Sequence, residues 1–375
     1  MIMFPLLFII FLIYALSCLW LIFLRPISDD SKSQIFGEIS LSVIIPVRNE
    51  AENIEVLLTD ISRQTYPKNT FEVIVVDDSS DDETVAIVKR FQEKNILNLR
   101  LILLSEKSVA SPKKRAIETA IKVANGVLII TTDGDCRVGE KWLETIEANY
   151  ITTDAKMLSG PVALSSQKDW LSVFQAIEFG SLIGTGACLI KAGFPTMCNG
   201  ANLSFEKFVF LEVNGYEGID SIASGDDELL MAKIAQKYPD KIVFINQQDA
   251  IVTTKPLPTL NAFYQQRIRW ASKWNVNKRI STMVVAMFVF IVNFSIMLSV
   301  IFWFLNLIPN FQFVILLFLK FIPEFIFLIS INSFLRQKKL NIFIPLVQVF
   351  YPFYVIIFGL LAQKKGYTWK ERKLK

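Results

Sequence analysis

Apolar and polar positions divide the chain into three regimes. Phe4 to Leu24 carries no charge, is long enough to cross a bilayer, and is closed by Arg25-Pro26. Its apolar core is too long for a signal peptide, no basic residue precedes it and no small-residue cleavage site follows. It is therefore expected to stay as an anchor rather than be removed. From about residue 26 to 275, apolar runs of strand length alternate with segments of helical spacing. From Ile280 the chain is again strongly apolar, and Ile280 to Leu307, Phe311 to Asn332 and Leu340 to Ala362 each reach spanning length.

The first half of the middle region predicts a regular alternation. Ser40 to Pro46 is a strand, and apolar Ile54, Leu57, Leu58 and Ile61 put a helix over Glu50 to Gln64. Phe71 to Val76 is a strand ending at Asp77-Asp78, and Asp81 to Phe91 is a helix with acidic residues expected in its first turn, where the dipole favours them. Leu99 to Leu104 is a strand, and Ser111-Pro112 opens a helix with Ser as cap and Pro at its first position. Val127 to Thr132 follows Asn125-Gly126 and stops at Asp133-Gly134-Asp135, with Gly134 expected to let the chain turn between the carboxylates.

This order predicts an α/β domain around a largely parallel, Rossmann-like sheet with right-handed crossovers. Parallel strands then place Arg48-Asn49-Glu50, Asp77-Asp78-Ser79-Ser80 and Asp133-Gly134-Asp135 on one edge, the edge where open α/β sheets bind ligands. After Pro161 the pattern loosens. Trp170 to Ile190 reads as a helix or loop near a membrane surface, and Cys198 to Phe205 as a turn into a strand. Gly225-Asp226-Asp227-Glu228 caps a helix start, Lys255-Pro256 breaks the chain, and Thr259 to Trp274 is a helix.

Composition narrows the chemistry. The 375 residues are 52% hydrophobic, too apolar for an ordinary soluble protein. A net charge of +4 argues against nucleic acid as a partner. With no histidine, Ser-His-Asp and Cys-His nucleophiles and His-based zinc motifs are excluded, and acid–base work falls to carboxylates, lysines, tyrosines or cysteines. The four cysteines match no zinc spacing, and Cys18 in an apolar stretch argues against a disulfide framework and for a reducing compartment. Two aspartates one residue apart at a strand end suit Mg²⁺ or Mn²⁺ beside a phosphate.

Ile45-Pro46-Val47-Arg48-Asn49-Glu50, Val75-Val76-Asp77-Asp78-Ser79-Ser80, Asp133-Gly134-Asp135, Gly225-Asp226-Asp227 and Gln266-x-x-Arg269-Trp270 occur in that order. Together they resemble the membrane-bound inverting glycosyltransferases of family 2, distant relatives of cellulose and hyaluronan synthases, over about residues 40 to 275. The resemblance implies a GT-A fold and a site with assigned roles. Pro46 and Glu50 border the nucleotide pocket, Asp78 holds the uracil or ribose of a UDP-sugar, and Lys113 lies near the nucleotide. Asp133 contacts the sugar nucleotide and Asp135 is the principal metal ligand. Asp227 is the general base, with Asp226 beside it as the other candidate in a Gly-Asp-Asp that departs from the Thr-Glu-Asp of cellulose synthases. Gln266, Arg269 and Trp270 line the acceptor site and close over the diphosphate.

The expected organisation is an anchor over 1–25, a cytoplasmic GT-A domain over 26–275, transmembrane helices over 276–363 and a basic tail over 364–375. The implied partners are a nucleotide-sugar donor, a lipid or glycan acceptor and the cell membrane. Single transfer, processive polysaccharide synthesis and a non-catalytic scaffold stay open. A glycosidase, which also uses two carboxylates, is disfavoured by the phosphate-type motifs. Lys320 and Glu324, four apart in an apolar helix, are placed to pair, and Pro323, Pro345 and Pro352 are expected to kink their helices. Arg25 and Lys32 put the domain on the cytoplasmic side, yet three further crossings leave the basic tail outside. Either one apolar segment does not cross or the charge rule is broken.

Overall fold

In order, the chain forms α1 (Met3–Leu24), β1 (Leu41–Val47), α2 (Ile54–Ser62), β2 (Phe71–Asp77), α3 (Thr84–Glu93), β3 (Leu99–Leu103), α4 (Pro112–Val123) and β4 (Leu128–Thr131). There follow α5 (Trp142–Thr153), β5 (Met157–Ser159), β6 (Val162–Leu164), α6 (Trp170–Lys191), β7 (Leu203–Glu206), α7 (Lys207–Glu212), α8 (Glu228–Lys237), β8 (Ile242–Phe244) and β9 (Val252–Thr254). The chain ends with α9 (Leu260–Ser272), α10 (Ile280–Phe304), α11 (Asn310–Phe334), α12 (Ile344–Leu361), β10 (Tyr367–Trp369) and β11 (Arg372–Leu374). These come from a computed structural model that describes residues 3–27, 37–105, 110–165, 169–272, 280–361, 367–369 and 372–374. Two compact units result. One comprises 1–26, 167–188 and 257–366, and the other 27–166, 189–256 and 367–375. Lys32, Trp274, Ala362 and Lys364-Lys365 lie outside the described residues.

The α/β unit is built on a seven-stranded sheet in the order β3-β2-β1-β4-β7-β5-β8. β3, β2, β1 and β4 are mutually parallel, and β7 runs antiparallel to both β4 and β5. Val43, Ile44, Ile45, Val73 to Val76, Ile129 and Ile130 are fully buried, as expected of strands covered on both faces. Each such side chain contributes roughly 1.5–3 kcal/mol by leaving water. Register places Val47 beside Asp77, and Ile44 beside Thr131, so the carboxyl ends of β1, β2 and β4 share one edge. β6 pairs with β9 in a small second sheet.

Two expected helix starts differ in detail. Ser111 occupies the cap position of α4, but its hydroxyl is buried with no hydrogen-bond partner. The acidic run Asp81-Asp82-Glu83 precedes α3 rather than filling its first turn. Asp82 instead accepts from the backbone N–H groups of Thr84 (2.9 Å) and Ala51 (3.0 Å), tying two loops together. All four cysteines are unbridged.

In the helical unit, α1 packs on α10 and α11 through Leu7, Phe11, Val292, Ile296, Ile308 and Leu316. Among the described residues, five helical segments are long and apolar enough to cross a membrane: Met3–Leu24, Trp170–Lys191, Met283–Phe304, Asn310–Phe334 and Lys338–Leu360. Trp170–Lys191 stands apart, with 78% of its apolar window buried inside the protein against 22–28% for the others, so its apolarity serves packing. Its Gly184 lies so close to α11 that a Cβ would sit 2.5 Å from Ile331. Lys320 pairs with Glu324 as their spacing predicts, both buried, and Gln348 donates to the same carboxylate at 3.3 Å. Pro323 and Pro352 fall inside helices, whereas Pro345 stands in the first turn of α12, where proline is tolerated.

Gly160 anchors the joint between the two sheets. A Cβ there would lie 2.1 Å from Asn202 Nδ2, which donates to the carbonyls of Pro161 (2.9 Å) and Ala250 (2.8 Å). Gly160→Ala is expected to cost about 3 kcal/mol through overpacking and lost hydrogen bonds. Gly139→Ala, whose Cβ meets nothing nearer than 3.7 Å, is expected to stay within about 0.5 kcal/mol. Unfolding midpoints of the full-length protein in detergent check the pair.

Candidate active site

Three loops meet at the shared strand edge. The loop after β1 and the loop after β2 are laced together: Asn49 N donates to Ser80 Oγ (2.9 Å), Glu50 N to Thr84 Oγ1 (2.8 Å), and Arg48 to the carbonyls of Asp78 and Ser79 (both 2.7 Å). Asn49 (φ 53°) and Ser79 (φ 60°) are both left-handed, a conformation that non-glycine residues hold only under such constraint. Asp78 is buried and ion-paired with Arg115 on α4. Pro46 pairs with Val76 in the sheet, and Glu50 accepts from Asn53 Nδ2 at 2.8 Å.

The loop after β4 joins them by close approach. Gly134 is not left-handed; it is required because a Cβ would sit 2.9 Å from Val47 and 3.0 Å from Glu50. The expected turn at Gly134 is thus a matter of space rather than of backbone angle. On one side of it, Asp133 accepts from Lys113 Nζ at 2.6 Å. On the other, Asp135 accepts from Thr254 Oγ1 at 3.2 Å.

Lys113 also reaches Asp226 at 3.1 Å, so one ammonium links the Asp133 loop to the Gly225-Asp226-Asp227 loop. Burial works against that charge, but Asp133, Asp226 and Asp227 outweigh it and hold the ammonium well above the usual lysine range. Asp227 caps α8, accepting from Glu228 N at 2.6 Å and from Gly200 N at 3.1 Å. All four aspartates are half-buried. Burial, with Asp133 and Asp135 beside it, pushes the Cys136 thiol well up, so it stays protonated and is no nucleophile.

Among the described residues no group of three or more His, Cys, Asp or Glu side chains forms a metal cage. The donors present nevertheless fit a hard divalent cation of the Mg²⁺ type. Such an ion takes one or two carboxylates and fills its other positions with phosphate oxygens and water. Asp135 would supply such a carboxylate, while Asp133 across Gly134 is engaged by Lys113.

The family described as Glycosyl transferase family 2 matches residues 42–193, and Glycosyl transferase family group 2 matches residues 128–367, more than half of the chain. The chain belongs to glycosyl transferase family group 2. Glycosyltransferase AglE of Haloferax volcanii is 36% identical over 122 residues, 32% of this glycosyltransferase and 39% of that one. The poly(ribitol-phosphate) beta-N-acetylglucosaminyltransferase TarS of Staphylococcus aureus is 36% identical over 107 residues, 28% of this chain and 18% of TarS. The matches thus span well under two thirds of these relatives. Mannosyltransferase PcManGT of Pyrobaculum calidifontis, solved with GDP-Man and Mn²⁺, is similar in fold with TM-score 0.55, at 17% identity over 93% of this chain and 97% of that one. The α/β unit of this glycosyltransferase has the GT-A fold.

Of the residues singled out by sequence, Glu50, Lys113, Asp133, Asp135, Asp226 and Asp227 gather at this edge, with Asp78 and Pro46 on the adjoining loop and strand. Gln266, Arg269 and Trp270 belong to the helical unit, on α9, where Trp270 packs on Phe179 and the Arg267 guanidinium stacks over its ring. The sequence places Arg48 on this edge without a role, and it misses Lys114, Arg115 and Gly200. For two of them a signal existed: Lys113-Lys114-Arg115 opens a helix, so three consecutive cations point about 100° apart and must find different partners. Gly200 had none. A Cβ on it would lie 2.9 Å from Asp226 Oδ2 and 3.3 Å from Lys113 Nζ, both ends of flexible side chains. Gly200→Ala is therefore expected to cost under about 1 kcal/mol of stability while lowering turnover at least about tenfold by displacing the ionic bridge. Thermal unfolding and UDP release from a UDP-sugar panel, measured on the same preparation, check both halves.

Proposed function

We propose that this glycosyltransferase moves a sugar from a UDP-linked donor, with inversion, to a lipid or lipid-linked glycan at the cytoplasmic face of the cell membrane, assisted by Mg²⁺ or Mn²⁺. The observation that carries the reading is the Lys113 bridge, which links the Asp-Gly-Asp and Gly-Asp-Asp motifs at the carboxyl edge of the sheet. Among the described residues, four apolar helical segments left largely uncovered by protein support a membrane setting. PcManGT, of like fold, was solved with a nucleotide sugar and Mn²⁺.

Asp78 and Arg115 present paired charge and hydrogen-bonding groups to the nucleoside, with Pro46 and Glu50 on the border of that pocket. Asp135 would hold the divalent cation, which when bound acts as a Lewis acid on the leaving diphosphate, and Asp133 would contact the sugar nucleotide. Lys113 adds a fixed positive charge next to the donor. Asp227, held by two backbone N–H groups, keeps lone pairs to accept the acceptor hydroxyl proton. The hydroxyl oxygen bonds to the anomeric carbon as the bond to the diphosphate breaks on the opposite face. Asp226, neutralised by Lys113, is the secondary choice for base. Gln266, Arg269 and Trp270 on α9 carry side chains of the type an acceptor site uses, Arg269 with a fork suited to phosphate.

Asp135→Ala and Asp227→Ala are each expected to abolish transfer from UDP-sugars in membrane lipid extracts. Asp227→Ala should still bind UDP with Mn²⁺ by calorimetry. UDP binding that needs no metal and survives Asp135→Ala unchanged would remove the site assignment.

A further inference from the structure

We infer that Lys114 is a positioning residue for transfer: its buried ammonium gathers the carbonyls of Ile219, Ile222 and Ser224 and so fixes where Asp226 and Asp227 stand. The inference rests on the reading of those aspartates as the acidic groups of the reaction.

Lys114 is 2% exposed, unusual for a lysine unless its charge is well solvated by protein groups. Nζ donates to Ile219 O at 2.6 Å, Ile222 O at 2.8 Å and Ser224 O at 3.0 Å. An ammonium has three N–H bonds, and these partners use them all. Residues 213–224 run as turns and bends without helix or strand, where backbone bonds are sparse; of the three carbonyls on the ammonium, that of Ile219 also accepts from Ile222 N at 3.3 Å. Ser224 is followed directly by Gly225, left-handed at φ 79°, and then by Asp226 and Asp227. The third carbonyl on the ammonium is thus two residues from one candidate acid and three from the other. Lys113 holds the far side of the same motif through Asp226. Consecutive residues of α4 therefore grip the loop, one by a carboxylate and one by backbone.

A second lysine supplies an internal control. Lys233 on α8 donates to Gly215 O at 2.7 Å and Glu217 O at 2.9 Å, in the earlier part of the same loop. It clamps backbone as Lys114 does, but its nearest carbonyl in sequence, that of Glu217, is nine residues before Asp226, where Ser224 is two.

The test uses full-length protein in detergent or nanodiscs, with UDP and Mn²⁺ binding by calorimetry and kcat from UDP release. Lys114→Met is expected to lower kcat about thirtyfold with UDP affinity within about threefold, since misplacing a reacting group by about an ångström costs rate rather than donor binding. Lys233→Met is expected to lower the unfolding midpoint with kcat within about threefold. Should Lys114→Met not fold, Lys114→Gln, which keeps two donors and loses the third and the charge, is read by the same criterion. A folded Lys114 variant whose kcat falls no further than that of Lys233→Met, or whose UDP affinity falls in step with kcat, overturns the inference. Wild-type turnover in Asp227→Asn would sink the parent reading and this inference with it. Loss in Asp227→Asn beside normal turnover in the Lys114 variants would sink the inference alone.

Discussion

Four half-buried carboxylates do not share a cleft unless something between them is positive. Two like charges about 4 Å apart repel by about 4 kcal/mol in a medium of surface-like dielectric, a large fraction of a domain's whole stability. In this glycosyltransferase the counter-charge is a side chain. Lys113 lies 2.6 Å from Asp133 and 3.1 Å from Asp226, and its charge is reinforced by Asp227 nearby. Because Lys113 opens α4, the bridge also fixes that helix against two loops distant in sequence. The next two residues use the same placement, Lys114 on the loop before Gly225 and Arg115 on Asp78.

Backbone geometry makes the cleft tight enough for the bridge to matter. Gly134 and Gly200 are needed for close approach, since at either position a Cβ would press on groups of the site. Asn49 and Ser79 hold left-handed turns because Arg48 and the Ser80 and Thr84 hydroxyls secure the chain on both sides. The sheet underneath is an ordinary buried parallel sheet, and its function is register: it delivers three strand ends to one line.

Much of this was readable from the chain. Strand-length apolar runs ending in Asp77-Asp78 and Asp133-Gly134-Asp135 encode both the sheet and its polar edge, because local pattern and global fold agree there. What escaped was set by packing across long separations. Gly200 looks like any turn glycine until Asp226 and Lys113 are placed beside it. Lys114 looks like a surface lysine until an irregular loop is folded over it. Trp170 to Ile190 reads as a helix or loop near a membrane surface because it is mostly apolar, and only its burial in the folded chain shows that its apolarity is covered by protein. In the helical unit, Arg267 is concealed between more conspicuous motif residues, yet it is the one buried against Glu178 and stacked on Phe263 and Trp270. Periodicity reports which face of an element is apolar, not which distant segment meets it.

The account stands or falls on Lys113 as the shared counter-charge, and a double-mutant cycle on stability reads that directly without substrate. Lys113→Met should destabilise the full-length protein by about 1–3 kcal/mol after allowance for solvent screening, since it leaves carboxylates facing one another. Adding Asp226→Asn should then recover part of that loss by removing one of the repelling charges, a clear departure from additivity. Independent, additive losses, or no loss at Lys113→Met, would contradict it.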